Sequence, residues 1–425
     1  MLLAKQPKYV GAAIGAGFGD EGKGLTTDYL IREHGKTGTK LVVRYNGGPQ
    51  AGHTVETDDG KRHVFSHFGS GTFAGANTYF SKFCSVNPML FNKEYNTLKA
   101  KLGTLPLQLV SHLCQVTTPW DMILNQNVEK QRSGRKHGST GMGVGVTEDR
   151  RLKEIETPIG YLSRLSRNGM RHEFSRIRDM LFGLHTAPLY DYMGMRMDIK
   201  EMSQTDLSAF TQKKYMESFL DHFELMLERI GLEFKGNHLF DYDTIVFEGA
   251  QGLLLDERYG CSPYTTWSNT GVHNVVELCN EMGVHLDEIT YVTRSYGTRH
   301  GAGPVYRDGS MRRDFRINIV DETNVPNPWQ GHMETFGLDE KVLSTTINQD
   351  ADYAESNIPS CRGGRDIQLS LMMTWAHLLD DPAYNTRYLP FGFKEEFPQE
   401  EWLDSLGVTH LAYGKTASSV VKRSK

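Results

Sequence analysis

The chain has 425 residues, which is enough for a large hydrophobic core and one to three domains. Its net charge of −5 excludes the basic character of a nucleic-acid-binding protein, and no apolar run approaches the roughly 20 residues of a membrane helix. The N-terminus is too short and too weakly apolar for a signal peptide, and five scattered cysteines fit a reducing compartment. We therefore expect a cytoplasmic protein without nucleic-acid or membrane partners.

The first predicted elements are a buried strand over residues 9–14, a glycine-rich turn and a helix from residue 25. Such a unit binds anions, because glycines let the backbone approach phosphate and Lys23 adds a positive charge. The turn falls short of a Walker A motif, since Gly24 stands where that motif carries a hydroxyl for Mg²⁺. Asp20 and Glu21 suggest a metal ligand or a base beside the phosphates. From this turn alone, an ordinary helix cap is an equally good interpretation.

A second predicted strand, residues 40–45, runs into a tight loop that contains His53. Ligands of open α/β sheets bind at strand ends, so this loop is a candidate site, although a lone loop histidine is more often a surface residue. His63 and His67 follow in a predicted hairpin and are interpreted as structural. Residues 91–130 are predicted to be mainly helical.

Residues 131–145 form a basic stretch followed by glycines and hydroxyls, which indicates either a second anion site or a surface loop. Residues 160–235 are predicted to be helical and polar. Strands are then predicted over residues 243–247 and 288–294, each followed by small and hydroxylated residues. These repeated loops predict a mostly parallel α/β sheet with helices on both faces and one site at its C-terminal edge.

The last third of the chain gives weaker signals. Residues 305–360 are polar with little strand character. Arg362 and Arg365 lie on a glycine-rich turn and either bind a carboxylate or phosphate or are solvated, before a predicted amphipathic helix over residues 367–379. Residues 388–393 and 411–416 are interpreted as strand-end segments, and the basic residues 421–425 are expected to fray.

Taken together, these loops resemble those of the adenylosuccinate synthetase family. The resemblance covers roughly residues 8–305 and rests on six motifs in the family's order. The motifs lie at residues 19–24, 51–54, 138–141, 247–256, 263–266 and 298–304, the last without a match at position 300. The resemblance implies a single domain over residues 1–425 and a homodimer. With the family's arginine-rich loop placed at residues 361–365, it also implies an insertion of about 30 residues within residues 305–360.

The family joins L-aspartate to C6 of inosine monophosphate (IMP), using a nucleoside triphosphate and Mg²⁺. The resemblance implies that Asp20 takes the N1 proton of the purine, that His53 acts as an acid, and that Asp20 and the carbonyl of Gly52 hold Mg²⁺. The implied catalytic residues are Asp20, His53, Lys23 and Gln251. The implied substrate-binding residues are Gln50, Ala51, Gly52, Ser139, Thr140, Arg151, Thr266, Arg299, Arg362 and Arg365. The implied triphosphate-binding residues are Gly19, Glu21, Gly22, Lys23, Gly24, Thr54, Gly414 and Lys415.

Three departures from the family pattern leave alternatives open. The arginine-rich loop that binds aspartate is not at its usual distance, and Arg362 and Arg365 are its nearest candidates. The guanine-reading Thr-Lys-Leu-Asp pattern is missing, and residues 388–393, placed there instead, carry no Lys or Asp, so ATP becomes a plausible donor. Met142 replaces an arginine, and Arg150 or Arg151 is the nearest match for the arginine that reaches across the dimer.

The first alternative is the phage-type relatives that act on deoxyguanylate with ATP, but these tend to lose the loop aspartate. Because Asp20 is present, IMP is favoured as the acceptor. The others are a ligase that uses a different amine and an inactive nucleotide-binding regulator. The presence of both Asp20 and His53 argues against the regulator.

Overall fold

A computed structural model of the chain describes residues 6–132, 137–183, 190–192, 195–196, 212–234, 241–307, 310–312, 324, 331–358, 366–380 and 399–423. The strands within these residues are β1 (Tyr9–Gly15), β2 (Lys40–Arg44), β3 (His53–Glu56), β4 (Arg62–Phe65), β5 (Asn77–Phe80), β6 (Ser85–Val86), β7 (Gln108–Ser111), β8 (Gln115–Val116), β9 (Asp191–Tyr192), β10 (Met195–Arg196), β11 (Gly231–Glu233), β12 (Thr244–Glu248), β13 (Glu288–Arg294), β14 (Gly297–His300), β15 (Val305–Arg307), β16 (Ser310–Arg312), β17 (Met333–Phe336), β18 (Gln368–Thr374), β19 (Val408–Ala412) and β20 (Val420–Lys422).

The α-helices in the same residues are α1 (Lys23–His34), α2 (Pro88–Leu102), α3 (Pro119–Gln131), α4 (Val144–Leu152), α5 (Ile159–Leu162), α6 (Arg167–Leu181), α7 (Lys213–Leu227), α8 (His273–Met282), α9 (Glu340–Asn357) and α10 (Gln399–Ser405). Short 3₁₀ helices cover Ser70–Ala74, Leu253–Leu255, Ala376–Asp380 and Ala417–Ser419. No helix in the described residues has the length and apolar character needed to span a membrane.

Ten strands form one sheet in the order β11-β7-β5-β2-β12-β1-β13-β18-β19-β20. Every neighbouring pair is parallel except β19 and β20. The residues of β1, β12 and β13 are buried throughout, as expected of strands covered on both faces. The predicted fold class is therefore confirmed.

The order of the strands explains how distant loops meet. The predicted strands at residues 9–14, 40–45, 243–247 and 288–294 all form, as β1, β2, β12 and β13 respectively. In the sheet they lie side by side in the order β2-β12-β1-β13. Because neighbouring parallel strands end at the same edge, the loops that follow them converge there.

Four expectations for the elements need correction. The amphipathic helix predicted over residues 367–379 is strand β18 followed by a 3₁₀ helix; a short apolar run buried between two strands cannot be told from a helix by its pattern alone. The expected fraying at the C-terminus is wrong for β20, which pairs with β19. Residues 91–130 also contain β7 and β8. The weakly patterned residues 305–360 contain β15–β17 and the long helix α9. Residues 388–393 lie outside the described residues.

Candidate active site

A cavity of about 1140 Å³ opens at the C-terminal edge of the sheet. It is lined by the loops that follow β1, β2, β12, β18 and β19, and by β13 and β14. Most predicted site residues line it: Gly19, Asp20, Gly22, Lys23, Gly24, Gln50, Ala51, Gly52, His53, Thr54, Thr140, Gln251, Gly414 and Lys415. Segments more than 300 residues apart in the chain thus meet at one place.

The turn between β1 and α1 is held in shape by Glu21. This buried carboxylate accepts hydrogen bonds from the backbone N–H groups of Gly17 (3.1 Å) and Gly19 (2.6 Å), and from Nζ of Lys23 (3.0 Å). Its role is therefore to organise the turn, and its side chain does not line the cavity. Gly22 caps α1 with φ of 105°, without a side-chain cap. The first N–H groups of α1 are thus left for an anion in the cavity.

Asp20 lies at the tip of the same turn with φ of 65°, a conformation that few residues other than glycine adopt. Two contacts from β13 and β14 hold it there. Nε of Arg294 donates to the carbonyl of Asp20 (2.5 Å), and the hydroxyl of Thr298 donates to the carbonyl of Gly19 (2.8 Å). The Asp20 side chain is 29% exposed in the cavity. Its carboxylate is thus fixed in place yet accessible to a ligand.

Gly24 brings the loop of His53 against the start of α1. A Cβ atom at position 24 would lie 2.9 Å from the carbonyl oxygen of Thr54 and 3.0 Å from Cβ of His53. Only glycine allows this approach without displacement of the backbone of β3. The position at which a Walker A motif carries a hydroxyl is here packed against β3, the strand that begins with His53.

His53 is oriented by Glu248, the last residue of β12. Nδ1 of His53 donates to Oε1 of Glu248 (2.7 Å), and Glu248 also accepts from the backbone N–H (3.1 Å) and the hydroxyl of Ser70. Burial lowers the pKa of His53, although Glu248 opposes this. Burial would raise the pKa of Glu248, but His53, Arg44 and Ser70 lower it to about 2. Glu248 is thus an ionised acceptor, and Nε2 of a neutral His53 is left for a ligand.

Two glutamines present unpaired amide oxygens at the predicted acceptor site. Oε1 of Gln50 and Oε1 of Gln251 are buried and have no hydrogen-bond partner among the described residues. Gln251 has φ of 67° and packs against Gly19 of the first turn. Buried polar atoms are nearly always bonded in folded proteins, so these two oxygens indicate a place where a ligand supplies donors.

Several predicted residues do not line the cavity. Arg299 is buried over the ring of Phe18, and its guanidinium donates to the carbonyls of Pro304, Tyr264 and Ala302; burial lowers its pKa to about 10. Three other predicted residues outside the cavity lining bond to protein groups. The hydroxyl of Ser139 accepts from Nδ2 of Asn125, and the backbone N–H of Thr266 donates to the carbonyl of Leu255. The side chain of Arg151 pairs with Glu148. Arg362 and Arg365 lie outside the described residues.

The chemistry of the site fits Mg²⁺ only together with a phosphate ligand. No group of three or more His, Cys, Asp or Glu side chains that could hold a metal occurs in the described parts of the chain. Mg²⁺ commonly takes one or two protein carboxylates and completes its shell with phosphate oxygens and water. The accessible carboxylate of Asp20, next to the N-terminus of α1, matches that requirement.

Sequence reasoning missed the roles of Glu248, His300 and two aromatic residues after β18. Glu248 was part of a matched motif but received no role; its signal was a charged residue at the end of an otherwise apolar strand. His300, Trp375 and His377 line the cavity. The last two were hidden because β18 was interpreted as a helix.

The family model described as adenylosuccinate synthetase matches residues 12–317. The adenylosuccinate synthetase of Parabacteroides distasonis is 30% identical over 305 residues, which are 69% of this chain and 64% of that protein. The one from Halothermothrix orenii is 30% identical over 366 residues, 84% of this chain and 78% of that protein. The match to the first of these relatives thus spans slightly less than two thirds of its length.

Two solved structures share the fold across nearly the whole chain. Fully ligated adenylosuccinate synthetase from Plasmodium falciparum has a TM-score of 0.66 at 18% identity, covering 98% of this chain and 100% of that chain. The succinoaminodeoxyadenylate synthetase of cyanophage S-2L, bound to dGMP and to dATP as an energy donor, has a TM-score of 0.58 at 15% identity, covering 98% and 96%.

Proposed function

Because the chain belongs to the adenylosuccinate synthetase family of C–N ligases, we propose that it joins L-aspartate to C6 of a 6-oxopurine nucleoside 5′-monophosphate, with IMP as the favoured acceptor. A nucleoside triphosphate and Mg²⁺ drive the reaction. The observation that carries the proposal is the packing of His53 and Thr54 on Gly24, which puts the catalytic histidine and Asp20 in the same cavity.

The first step phosphorylates the purine oxygen, because a 6-oxo group is a poor leaving group. The carboxylate of Asp20 accepts the N1 proton, and the resulting 6-oxyanion attacks the γ-phosphorus of the triphosphate. The bond from the γ-phosphorus to the bridging oxygen breaks, and the nucleoside diphosphate leaves. Lys23 and the N-terminus of α1 bind the phosphates. Asp20 and the carbonyl of Gly52 would hold Mg²⁺, which would neutralise negative charge on the phosphates.

His53 acts on the phosphoryl group in transfer. It is neutral in the free protein, because burial lowers its pKa. A bound triphosphate places negative charge beside the imidazole and favours its protonated form, which Glu248 also stabilises. Nε2–H then donates to the transferring group.

In the second step the amine of L-aspartate attacks C6, the C6–O bond breaks, and inorganic phosphate leaves. The amino nitrogen loses a proton to complete the N6-succino product. We infer that Gln50, Thr140 and Gln251 hold the acceptor nucleotide, since two of them carry buried amide oxygens without a partner in the described structure. Arg362 and Arg365 remain the proposed contacts for the aspartate carboxylates.

We infer that ATP serves as the donor at least as well as GTP. β18 ends at Thr374 and is followed by Trp375-Ala376-His377. We align this segment, in place of residues 388–393, with the family's guanine-reading Thr-Lys-Leu-Asp pattern, so that Trp and His stand where the family has Lys and Asp. The hydroxyl of Thr374 donates to the carbonyl of Glu21 (2.7 Å), so this segment abuts the phosphate turn. Guanine offers two adjacent N–H donors that a carboxylate accepts together, and His377 cannot accept both.

The donor inference is tested by comparing kcat/KM for ATP and GTP in the natural chain and in His377→Asp. We expect the variant to shift the ratio toward GTP by about tenfold, the value of one good charged hydrogen bond. A natural chain that strongly prefers GTP would contradict the inference.

The phage-type activity on deoxyguanylate is the second candidate. The same absence of a carboxylate at positions 375 and 377 favours it, because the structurally similar cyanophage enzyme was solved with dATP as its energy donor. Asp20 argues against it, since the phage-type relatives tend to lose the loop aspartate. A related ligase with a different amine, or an inactive nucleotide-binding regulator, are the remaining alternatives.

A homodimer is also part of the proposal. Arg151 lies at the end of α4 away from the cavity of its own chain, with its side chain 34% exposed, as expected of a residue that serves a partner's site. Mixing inactive Arg151→Ala and inactive His53→Asn chains would restore a quarter or less of the activity if the sites are shared. If the mixture regains no activity, each active site is built from one chain alone and the shared-site proposal is wrong.

The function is tested by mixing the protein with Mg²⁺, L-aspartate, each acceptor (IMP, GMP, dGMP) and each triphosphate, and following the succino product. Product with at least one acceptor is expected, and Asp20→Asn and His53→Asn should each abolish turnover while the thermal unfolding curve is unchanged. No product with any combination would refute the assignment. Nucleotide binding by calorimetry without turnover would support the regulator, and triphosphate consumption with another amino acid would support the altered ligase.

A further inference from the structure

His300 is a cavity-lining residue to which the chemistry above gives no task. It is the last residue of β14, and its side chain is 12% exposed. It lies between residues 298–299 and residues 301–304, which carry the last of the motifs that resemble the family.

One nitrogen of His300 contacts the proposed base. Nε2 lies 3.4 Å from Oδ2 of Asp20. This is an ion-pair distance, and because a carboxylate only accepts hydrogen bonds, a proton on Nε2 is what would make the contact favourable. The position of β14 against the turn of Asp20 does not depend on the imidazole, because the hydroxyl of Thr298 on the same strand donates to the carbonyl of Gly19 (2.8 Å).

The other nitrogen has no partner. Nδ1 of His300 is buried and makes no hydrogen bond to any described residue. In a neutral imidazole with a protonated Nε2, Nδ1 is an acceptor, so its natural partner is an N–H group. A buried acceptor beside a ligand cavity, in contact with a residue of the chemistry, indicates that the ligand supplies that N–H.

The position of His300 identifies which ligand is near. Gly301 packs so closely on Gly138 that a Cβ there would lie 2.2 Å from Cα of Gly301, and the N–H of Ala302 donates to the carbonyl of His137 (3.2 Å). These contacts bring the residues after His300 against the residues before Thr140, which is a proposed acceptor contact and lines the same cavity as His300. Apart from the N1–H that Asp20 accepts, the substrates bring two kinds of N–H group near C6 and N1: the amine that attacks C6, and the 2-amino group of a guanine acceptor, which IMP lacks.

We propose that His300 bridges Asp20 and an N–H group of the substrate, with Nε2–H on the carboxylate and Nδ1 on the substrate nitrogen. The proposal rests on the proposed function and adds a substrate-contacting residue to it. His300 also positions Asp20, the proposed base.

A matched set of variants separates the two nitrogens. The amide of glutamine reaches the place of Nε2, and the amide of asparagine the place of Nδ1. We expect His300→Gln to keep the Asp20 contact and raise the KM of the substrate that supplies the N–H by about 5- to 10-fold, with kcat within twofold. His300→Asn should keep that KM and lower kcat about 5- to 10-fold, and His300→Phe should do both.

The choice of substrate identifies the source of the N–H. If it is the attacking amine, the KM of L-aspartate rises in His300→Gln with IMP and dGMP alike. If it is the 2-amino group, the KM of dGMP rises and that of IMP does not. Equal kinetic constants in the natural chain and in His300→Phe would overturn the proposal, as would equal losses in all three variants together with a lowered Tm, which indicate a structural role only.

A second readout does not need turnover. Binding of IMP, dGMP and L-aspartate, each alone, is measured by calorimetry on the natural chain, His300→Gln and His300→Phe. If the natural chain forms no product but binds dGMP or aspartate more tightly than both variants, the proposed function fails while the His300 contact stands. If the natural chain and the variants bind all three equally, or the natural chain binds none, the His300 contact fails.

Discussion

Replacing Glu248 by glutamine removes the charge that holds His53 while leaving a side chain of the same size. The amide oxygen still accepts from Nδ1 of His53 and from the hydroxyl of Ser70, and the amide nitrogen faces the backbone N–H of Ser70 in place of an acceptor. The orientation of the imidazole is then retained in part, but its protonated form loses a buried counter-charge. We therefore expect nucleotide binding to survive and the phosphoryl-transfer step to slow.

The size of the effect follows from two quantities. A hydrogen bond to a charged group contributes about 1.5–3 kcal/mol, which corresponds to a loss of roughly 10- to 200-fold in kcat. The second is the pKa of Glu248, which burial would raise but which His53, Arg44 and Ser70 lower to about 2, so the ionised carboxylate stabilises the folded state at neutral pH. Glu248→Gln should therefore also lower the Tm.

The assay measures kcat by phosphate release and succino-product formation together, and the Kd of the triphosphate by calorimetry, below the Tm of the variant. Asp350→Asn is the matched control, because Asp350 is likewise a buried carboxylate, accepting from the hydroxyl of Tyr291 (3.0 Å) and the N–H of Val272 (3.0 Å), but does not line the cavity. The control should lose stability and keep kcat within threefold. Retention of the natural kcat in Glu248→Gln, or an equal loss in Asp350→Asn, would refute the reasoning.

Three further predictions follow from contacts in the cavity. Gly24→Ala should lower kcat and weaken triphosphate binding together, with about 1–3 kcal/mol lost in chemical denaturation, because the new Cβ displaces β3; unchanged kinetics would contradict it. Gln50→Leu should raise the KM of the acceptor by about 5- to 10-fold and leave that of the donor unchanged in steady-state kinetics. The free energy of unfolding should fall as the pH drops from about 4.5 toward 2, since the folded pKa of Glu248 lies below its unfolded value, and should fall less in Glu248→Gln, as measured by urea titration.

The sequence predicted the loops that meet but not the side chains that pair. Four apolar runs ending in small residues are a local signal, and in a parallel sheet they end at one edge whatever their order. Glu248, the partner of His53, is 195 residues away in the chain, and no local sequence feature at Glu248 indicates that the two side chains pair. The same holds for His300 and Asp20, since the pairing is set by the insertion of β13 beside β1 rather than by any spacing in the chain.

The two departures from a Walker A motif belong together. The missing hydroxyl at Gly24 and the added carboxylate at Asp20 looked like separate oddities in the sequence. The structure shows that a side chain at position 24 would push β3 away, so the close approach of His53 excludes the residue that normally binds Mg²⁺ there. Because the turn lacks the hydroxyl ligand at position 24, Mg²⁺ would need another oxygen ligand. Asp20, whose carbonyl accepts from Nε of Arg294, carries the carboxylate on the same turn. If this reasoning is right, Gly24→Ser should not rescue Mg²⁺ binding in Asp20→Asn, as measured by Mg²⁺-dependent triphosphate affinity, because the new side chain would displace His53 before it reached the metal.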